Sequence, residues 1–325
     1  MAIEPVLIVG AGRMGRGIAQ AYALAGREVW LIDLKERNSQ GFSGLVASVR
    51  RDMVLDLRLA VELGFLAGDA VDAALRRVRT VQGVPREGWP TDATLVYEAL
   101  PETPELKRTA FDWINRQVRE DAVVASTTST LSIDELGAMV EKPGRFLHAH
   151  WLNPAHLMPL VEVAVGQATA EWAYRRVHDS LVAIGKVPVR CTASPGYIVP
   201  RIQALAMNEA ARMVEEGAAA AEDIDRAIRI GFGPRFAVLG LLEFIDWGGN
   251  DILYHASRHL ARTLDDRRYR APGVIEDNMA AGHNGLREGR GFYDYTAIDA
   301  DAYRRERLGQ FMKLVEHLGF LPAGL

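Results

Sequence analysis

The stretch that most constrains the fold is "PVLIVGAGRMGRGIAQ", residues 5 to 20. An apolar run, Val6 to Val9, leads directly into Gly10-Ala11-Gly12-Arg13-Met14-Gly15, and apolar residues at helical spacing, Ile18, Ala21, Tyr22 and Ala25, follow it. A short apolar run without alternation is what a parallel sheet buries on both faces. The glycines let the chain turn tightly from strand to helix and leave backbone N–H groups bare at the helix N-terminus, where a pyrophosphate can meet them. A G-x-G-x-x-G string is weak evidence by itself; the strand before it and the helix after it make it a dinucleotide-binding turn. Gly26 closes the helix, Val29 to Ile32 reads as a second strand, and Asp33 ends that strand. A carboxylate there accepts hydrogen bonds from both ribose hydroxyls and repels a 2′-phosphate, so NAD is favoured over NADP. Lys35 and Arg37 weaken that preference a little.

Further along, "ATLVYEAL" (93–100), "AVVAS" (122–126), "RFLHAHW" (145–151) and "LVEVAV" (160–165) read as strands, with helical patterns between most of them and over residues 41–79. This alternation predicts the α/β class, with a Rossmann-type, mainly parallel sheet. At "CTASPGYIVPR" the texture changes, and residues 201–265 and 304–318 are nearly all helical in pattern. The expected division is a NAD-binding domain over 1–190 and an all-helical domain over 191–325, and a chain of 325 residues with 49% hydrophobic content can bury two cores. The net charge of −4 offers no broad basic field, which argues against nucleic acid as a partner. A single cysteine, Cys191, excludes an internal disulfide. Residues 1–10 resemble neither a signal peptide nor a spanning helix, so the expectation is a cytoplasmic protein without membrane contact.

"FLHAHWLNPAHLMPLVEV", residues 146–163, packs three histidines and a glutamate into an apolar stretch. Metal ligands, buried core histidines and acid–base groups are all compatible with it. His148 and His150, two apart on a strand, share one face, and His156 or Glu162 supplies a third ligand in the metal reading. That spacing is loose, and no metal is expected. A nicotinamide enzyme needs a base to take the hydroxyl proton, and His150 closes a predicted strand, where ligands of α/β sheets bind. Ser126 to Thr130 belong at the same end, with Thr127 at the cofactor. Glu162, among Leu160, Val161, Val163 and Val165, is the local carboxylate that would fix the imidazole tautomer.

Taken in order, GAGRMGRGIA, STTSTLSI, the H-x-x-N-P of His150 to Pro154 with MPLVEV behind it, SPGYIVPR, NEA (208–210), EDIDRAI (222–228) and GRGFYDY (289–295) resemble the 3-hydroxyacyl-CoA dehydrogenase family, particularly its 3-hydroxybutyryl-CoA type. The resemblance runs from about residue 5 to 295. It implies an NAD domain followed by a helical domain that takes part in substrate binding and forms a homodimer. It implies that His150 is the catalytic histidine, Glu162 the glutamate that holds it, and Ser129 the serine that hydrogen-bonds the substrate oxygen. Asn153, Glu102 and Lys107 match positions near the nicotinamide or its ribose, and Asp33 the acid at the adenosine ribose. The implied reaction is NAD-dependent interconversion of a short-chain L-3-hydroxyacyl-CoA and its 3-oxoacyl-CoA, as in fatty acid metabolism.

Three departures bear on the substrate. Pro200 replaces an asparagine of the family, and a proline has no amide to donate or accept with. After the second strand the family's lysine-dense helix is replaced by Arg50-Arg51 and "DMVLDLRLAVELGF". Two arginines are able to grip a phosphate; the rest of that helix is a poor phosphate surface. In "GFGPRFAVLGLLEFIDWGG" (231–249), Phe236 joins Trp151, Phe244 and Trp247 either as an apolar pocket lining or as core packing. The alternative to a CoA thioester is therefore a small CoA-free secondary alcohol, hydroxy acid or ketone, handled by the same chemistry.

Overall fold

The structure, a computed structural model, describes residues 4–84, 89–90, 92–264, 267–321 and 324. The chain divides into two compact units, Met1–Ala206 and Met207–Leu325. The first runs β1 (Val6–Val9), α1 (Arg13–Leu24), β2 (Val29–Asp33), α2 (Ser39–Glu62), α3 (Gly68–Arg77), β3 (Val78–Gln82), β4 (Leu95–Glu98), α4 (Pro104–Gln117), β5 (Val123–Ser126), α5 (Ile133–Gly137), β6 (Phe146–Trp151), β7 (Leu160–Val165), α6 (Glu171–Ala183) and β8 (Val187–Thr192). The strands form one sheet in the order β3-β2-β1-β4-β5-β6-β7-β8. Every neighbouring pair is parallel except β6 and β7, which pair antiparallel. This is the α/β sheet that the strand–turn–helix pattern predicts.

The apolar runs are continuous because the sheet is covered on both sides. Along β1, Val6 and Ile8 pack into a core with residues of α1, α2, α3 and α6, while Leu7 and Val9 pack into a second core with residues of α4 and α5. All four are at most 1% exposed. Two strands escape the sequence pattern. Residues 41–79, helical in pattern, also hold the start of β3, and β8 precedes the junction read from the sequence and overlaps it only at Cys191 and Thr192. Both are edge strands, half exposed and carrying Arg79, Pro188 and Arg190, so neither shows the apolar run of a central strand.

Chain order reverses across β1, which lies between β2 and β4. A crevice therefore opens beyond the carboxyl ends of β1 and β4, the place where α/β sheets take their ligands. Gly10 sits there with φ of 118°, and a Cβ on it would lie 2.6 Å from the Ala99 carbonyl oxygen. A Cβ on Gly15 would lie 1.9 Å from the Gly10 carbonyl oxygen. Both positions need glycine for the turn to close.

The division between units falls inside α7 (Val199–Glu215), and the second unit continues through α8 (Ala221–Ala227), α9 (Gly233–Val238), α10 (Leu241–Gly248), α11 (Asn250–Thr263), α12 (Gly273–Ala280) and α13 (Ala300–His317). The "GRGFYDY" segment is tied down by Asp246, 1% exposed, whose carboxylate accepts from the amides of Phe292 and Tyr293 and from the Tyr295 hydroxyl. Among the described residues no helix is long and apolar enough to cross a membrane.

Candidate functional site

At the switch point a cavity of about 890 Å³ is lined by Gly12, Arg13, Met14, Asp33, Leu100, Glu102, Thr127, Ser129 and Asn153, among others. α1 begins at Arg13, so its free N–H groups face this turn, and a Cβ at Gly12 would meet nothing within 4 Å. The turn thus offers open space where a diphosphate must approach the backbone. Asp33, 8% exposed, ends β2 on the same cavity. These residues fit a dinucleotide: Gly10 to Gly15 at the pyrophosphate, Asp33 at the adenosine ribose. Arg37 Nε donates to Asp33 Oδ2 at 2.6 Å, which places a guanidinium beside that acid. Replacing Asp33 with alanine frees that guanidinium, and the NADP-to-NAD ratio of kcat/KM is expected to rise about tenfold or more. Steady-state rates with both cofactors check this; an unaltered ratio would mean that another group reads the ribose.

β6 and β7 bring the candidate acid–base residues together. Their antiparallel register sets His150 directly opposite Glu162, so residues twelve apart in sequence meet across one rung. His150 Nδ1 lies 2.9 Å from Glu162 Oε2, with His150 5% and Glu162 0% exposed. A carboxylate only accepts, so Nδ1 carries the hydrogen and Nε2 keeps its lone pair. The other oxygen, Glu162 Oε1, accepts from the amides of Ile198 at 2.9 Å and Val199 at 2.8 Å. Those amides open α7, which explains how Pro200 is accommodated: it stands in the first helical turn, where a missing N–H breaks no helical bond.

The loop after β5 is pinned by Glu102, whose carboxylate accepts from the Thr128 hydroxyl and from the Ser129 amide at 2.6 Å. Ser129 itself is exposed and lines the cavity. Lys107, expected at the nicotinamide, is enclosed beneath this loop. Its ammonium donates to Glu98 Oε1 at 3.0 Å, Glu98 Oε2 at 2.8 Å and the Leu100 carbonyl at 3.0 Å, and all three hydrogens are thereby used. The Leu100 amide and the Ser126 hydroxyl also donate to Glu98, each at 2.7 Å.

Of the residues assigned to substrate from the sequence, Trp151, Arg50 and Arg51 do not line this cavity. Trp151 is 2% exposed and packs against Tyr22 and Tyr97 in the core, because its strand is covered on both faces. Arg50 and Arg51 are exposed on α2. The α2 residues that line a second cavity beside the first, also about 890 Å³, are instead Asp52, Met53, Asp56, Leu59 and Ala60. Arg16 on that wall is tied to the Asp52 carboxylate, the Ser48 hydroxyl and the Ala11 carbonyl. Phe236 belongs to the second unit, where it packs with Phe232 and Phe244.

Two supports were invisible in the sequence. Lys186, buried and without an ion pair among the described residues, donates to the carbonyls of Ala155, His156 and Met158 and so clamps the loop that carries Asn153. Burial lowers its pKa. Tyr197 stacks on His150 and bonds His148. Lys186 lies outside any motif, and Tyr197, though it stands inside SPGYIVPR, carries no sign there of a histidine partner, since only the folded loops bring the two to the site.

Comparison with known proteins agrees with this geometry. Residues 5–194 match the family described as 3-hydroxyacyl-CoA dehydrogenase, NAD binding domain, and residues 196–295 match 3-hydroxyacyl-CoA dehydrogenase, C-terminal domain. A probable 3-hydroxybutyryl-CoA dehydrogenase of Deinococcus radiodurans is 32% identical over 89% of this chain and 99% of its own length. The 5-formyl-3-hydroxy-2-methylpyridine 4-carboxylate 5-dehydrogenase of Mesorhizobium japonicum is 30% identical over 94% of this chain and 95% of its own. The solved structure of a 3-hydroxyacyl-CoA dehydrogenase from Archaeoglobus fulgidus superposes with a TM-score of 0.77, at 30% identity, over 98% of this chain and 99% of that one.

Proposed function

The chain belongs to the 3-hydroxyacyl-CoA dehydrogenase family, and from that premise we propose that it interconverts a short-chain L-3-hydroxyacyl-CoA and the 3-oxoacyl-CoA, with His150 as the acid–base group. The observation that carries the reading is the cross-strand pair: an imidazole with Nδ1 held by a buried carboxylate and Nε2 left for a substrate, at the strand end beside a dinucleotide groove. NAD, when bound, supplies the two-electron acceptor that takes the carbinol hydrogen as hydride. The chain's own residues do the rest. His150 Nε2 accepts the hydroxyl proton as the carbonyl forms, and returns it in the reverse direction. Glu162, itself fixed by two backbone amides, stabilises the imidazolium through Nδ1. Ser129 orients the substrate oxygen, while Glu102 and Lys186 hold the two loops that present Ser129 and Asn153.

A second reading keeps this chemistry and drops CoA. It is favoured by the wall of the second cavity, where α2 presents Asp52 and Asp56 with apolar residues, while Arg50 and Arg51 line neither cavity. A relative that spans nearly the whole chain is named for a pyridine carboxylate. Comparing kcat/KM for NADH oxidation by acetoacetyl-CoA, acetoacetate and an aryl methyl ketone separates the two. An advantage of about 100-fold or more for the thioester, the span of a few kcal/mol of differential transition-state binding, supports the CoA reading. Equal or better rates on free ketones overturn it.

The remaining parts of the proposal are a cytoplasmic location, a helical unit that contributes to substrate binding, and a homodimer formed through that unit. Support for the dimer comes from apolar side chains left exposed in one copy of the unit, including Met207, Val214, Phe232 and Met312.

A further inference from the structure

Tyr197 is tied to the site at three points. Its ring lies flat against the His150 imidazole, with centroids 4.4 Å apart and planes 7° from parallel. Its hydroxyl donates to the Thr128 carbonyl at 2.5 Å and lies 3.0 Å from His148 Nδ1. A carbonyl only accepts, so the one phenolic hydrogen goes to Thr128, and His148 Nδ1 must donate to the Tyr197 oxygen. His148 is thereby fixed as the Nδ1–H tautomer, and its buried Nε2 has no partner among the described residues. Burial, then the Lys107 ammonium and His150, holds the His148 pKa down at about 3, so this second imidazole stays neutral beside the first. The backbone points the same way. Tyr197 has φ of 47°, the left-handed region that a bulky residue enters only where its surroundings enforce it. The next two amides, Ile198 and Val199, are the ones clamped on Glu162.

From this arrangement we infer that Tyr197 is a positioning residue for the reaction: its ring face fixes the plane of His150 and stabilises the imidazolium formed when His150 takes the substrate proton. The inference rests on the assignment of His150 as the acid–base group. An electron-rich phenol face attracts a cation lying over it. Glu162 holds the imidazole in its plane at Nδ1 and Tyr197 holds it from one face, which leaves the Nε2 edge for substrate. His148 and Thr128 grip the phenol oxygen and so keep the ring in register. A residue that merely filled space would need neither a left-handed backbone nor a hydroxyl anchored to a carbonyl.

The test is a titration of His150 in the full-length, cofactor-free protein, followed by NMR of ¹⁵N-labelled histidine rings in wild type, Tyr197→Phe and Tyr197→Leu. Glu162 on β7, His148 on β6, Cys191 on β8, Glu102 after β4 and Lys107 on α4 are the titratable groups around this ring pair among the described residues, and neither substitution removes any of them. Tyr197→Phe keeps the face and is expected to change the His150 protonation constant by less than about threefold, while Tyr197→Leu lowers it by about three- to thirtyfold. Losing a group that stabilises the charged form lowers the midpoint, so the His150 titration moves to lower pH. The acid limb of the pH profile for alcohol oxidation should move with it, and kcat should fall about tenfold while the Kd for NADH stays within about twofold. Should the leucine variant fail to fold, a ring-fluorinated phenylalanine at 197 keeps the shape, empties the face of electron density and must give the same downward shift. An unshifted His150 in the leucine and fluorinated variants overturns the role of Tyr197. Full turnover in His150→Ala would instead overturn the acid–base assignment beneath it, so the two failures are told apart.

Discussion

Replacing His150 with alanine is expected to lower turnover by about 10²- to 10⁴-fold and to leave NADH affinity unchanged. The imidazole is 5% exposed, is held by Glu162 and lies under Tyr197, so alanine leaves no base at the position of Nε2. NADH affinity should survive because the groups proposed to hold the dinucleotide lie on other elements: the glycine turn between β1 and α1, and Asp33 at the end of β2. Turnover measured beside NADH fluorescence titration separates the two effects. Loss of NADH binding together with activity would mean that His150 supports the groove rather than the chemistry.

Replacing Lys107 with methionine is expected to destabilise the fold by about 3–5 kcal/mol, the loss typical of breaking a buried ion pair from one side. Lys107 is 1% and Glu98 0% exposed, so removal of the ammonium leaves a carboxylate in the core with only the Ser126 hydroxyl and the Leu100 amide to meet it. Removing both members, with Glu98→Leu in the same chain, should recover part of the loss, because no charge then remains buried. Urea unfolding at fixed protein concentration measures both variants. A loss under about 1 kcal/mol for the single variant would mean that water reaches Glu98 and screens it.

How much of this was legible in the sequence depended on whether a signal was local. The β1–turn–α1 unit and Asp33 were readable because strand, glycines, helix and acid occupy one continuous stretch whose periodicities change where the structure changes. His150 and Glu162 were readable as candidates because a short antiparallel hairpin joins them. The edge strands β3 and β8 were not, since an edge strand carries charges and a proline where a central one carries valines. Lys107 illustrates the converse. The family resemblance set it near the nicotinamide or its ribose, while burial and three acceptors show it as a strut tied to Glu98 and Leu100. Trp151 was ambiguous between pocket and core until β6 proved to be covered on both faces. Lys186 had no signal at all, and Tyr197 was readable only as a member of SPGYIVPR: their effect comes from backbone carbonyls and from a stacked ring, and neither is encoded in a pattern of neighbours.

The central claim is that the chain moves a hydride between NAD and a substrate carbonyl carbon. It is tested most directly with NADH deuterated at both C4 positions. The protein is supplied with this cofactor and whichever of acetoacetyl-CoA or a free ketone reacts faster, and the product is read by mass spectrometry. The account predicts one deuterium per product molecule, on the former carbonyl carbon, with one NAD formed for each. Product without the label, or NADH consumed without a labelled alcohol, would contradict it.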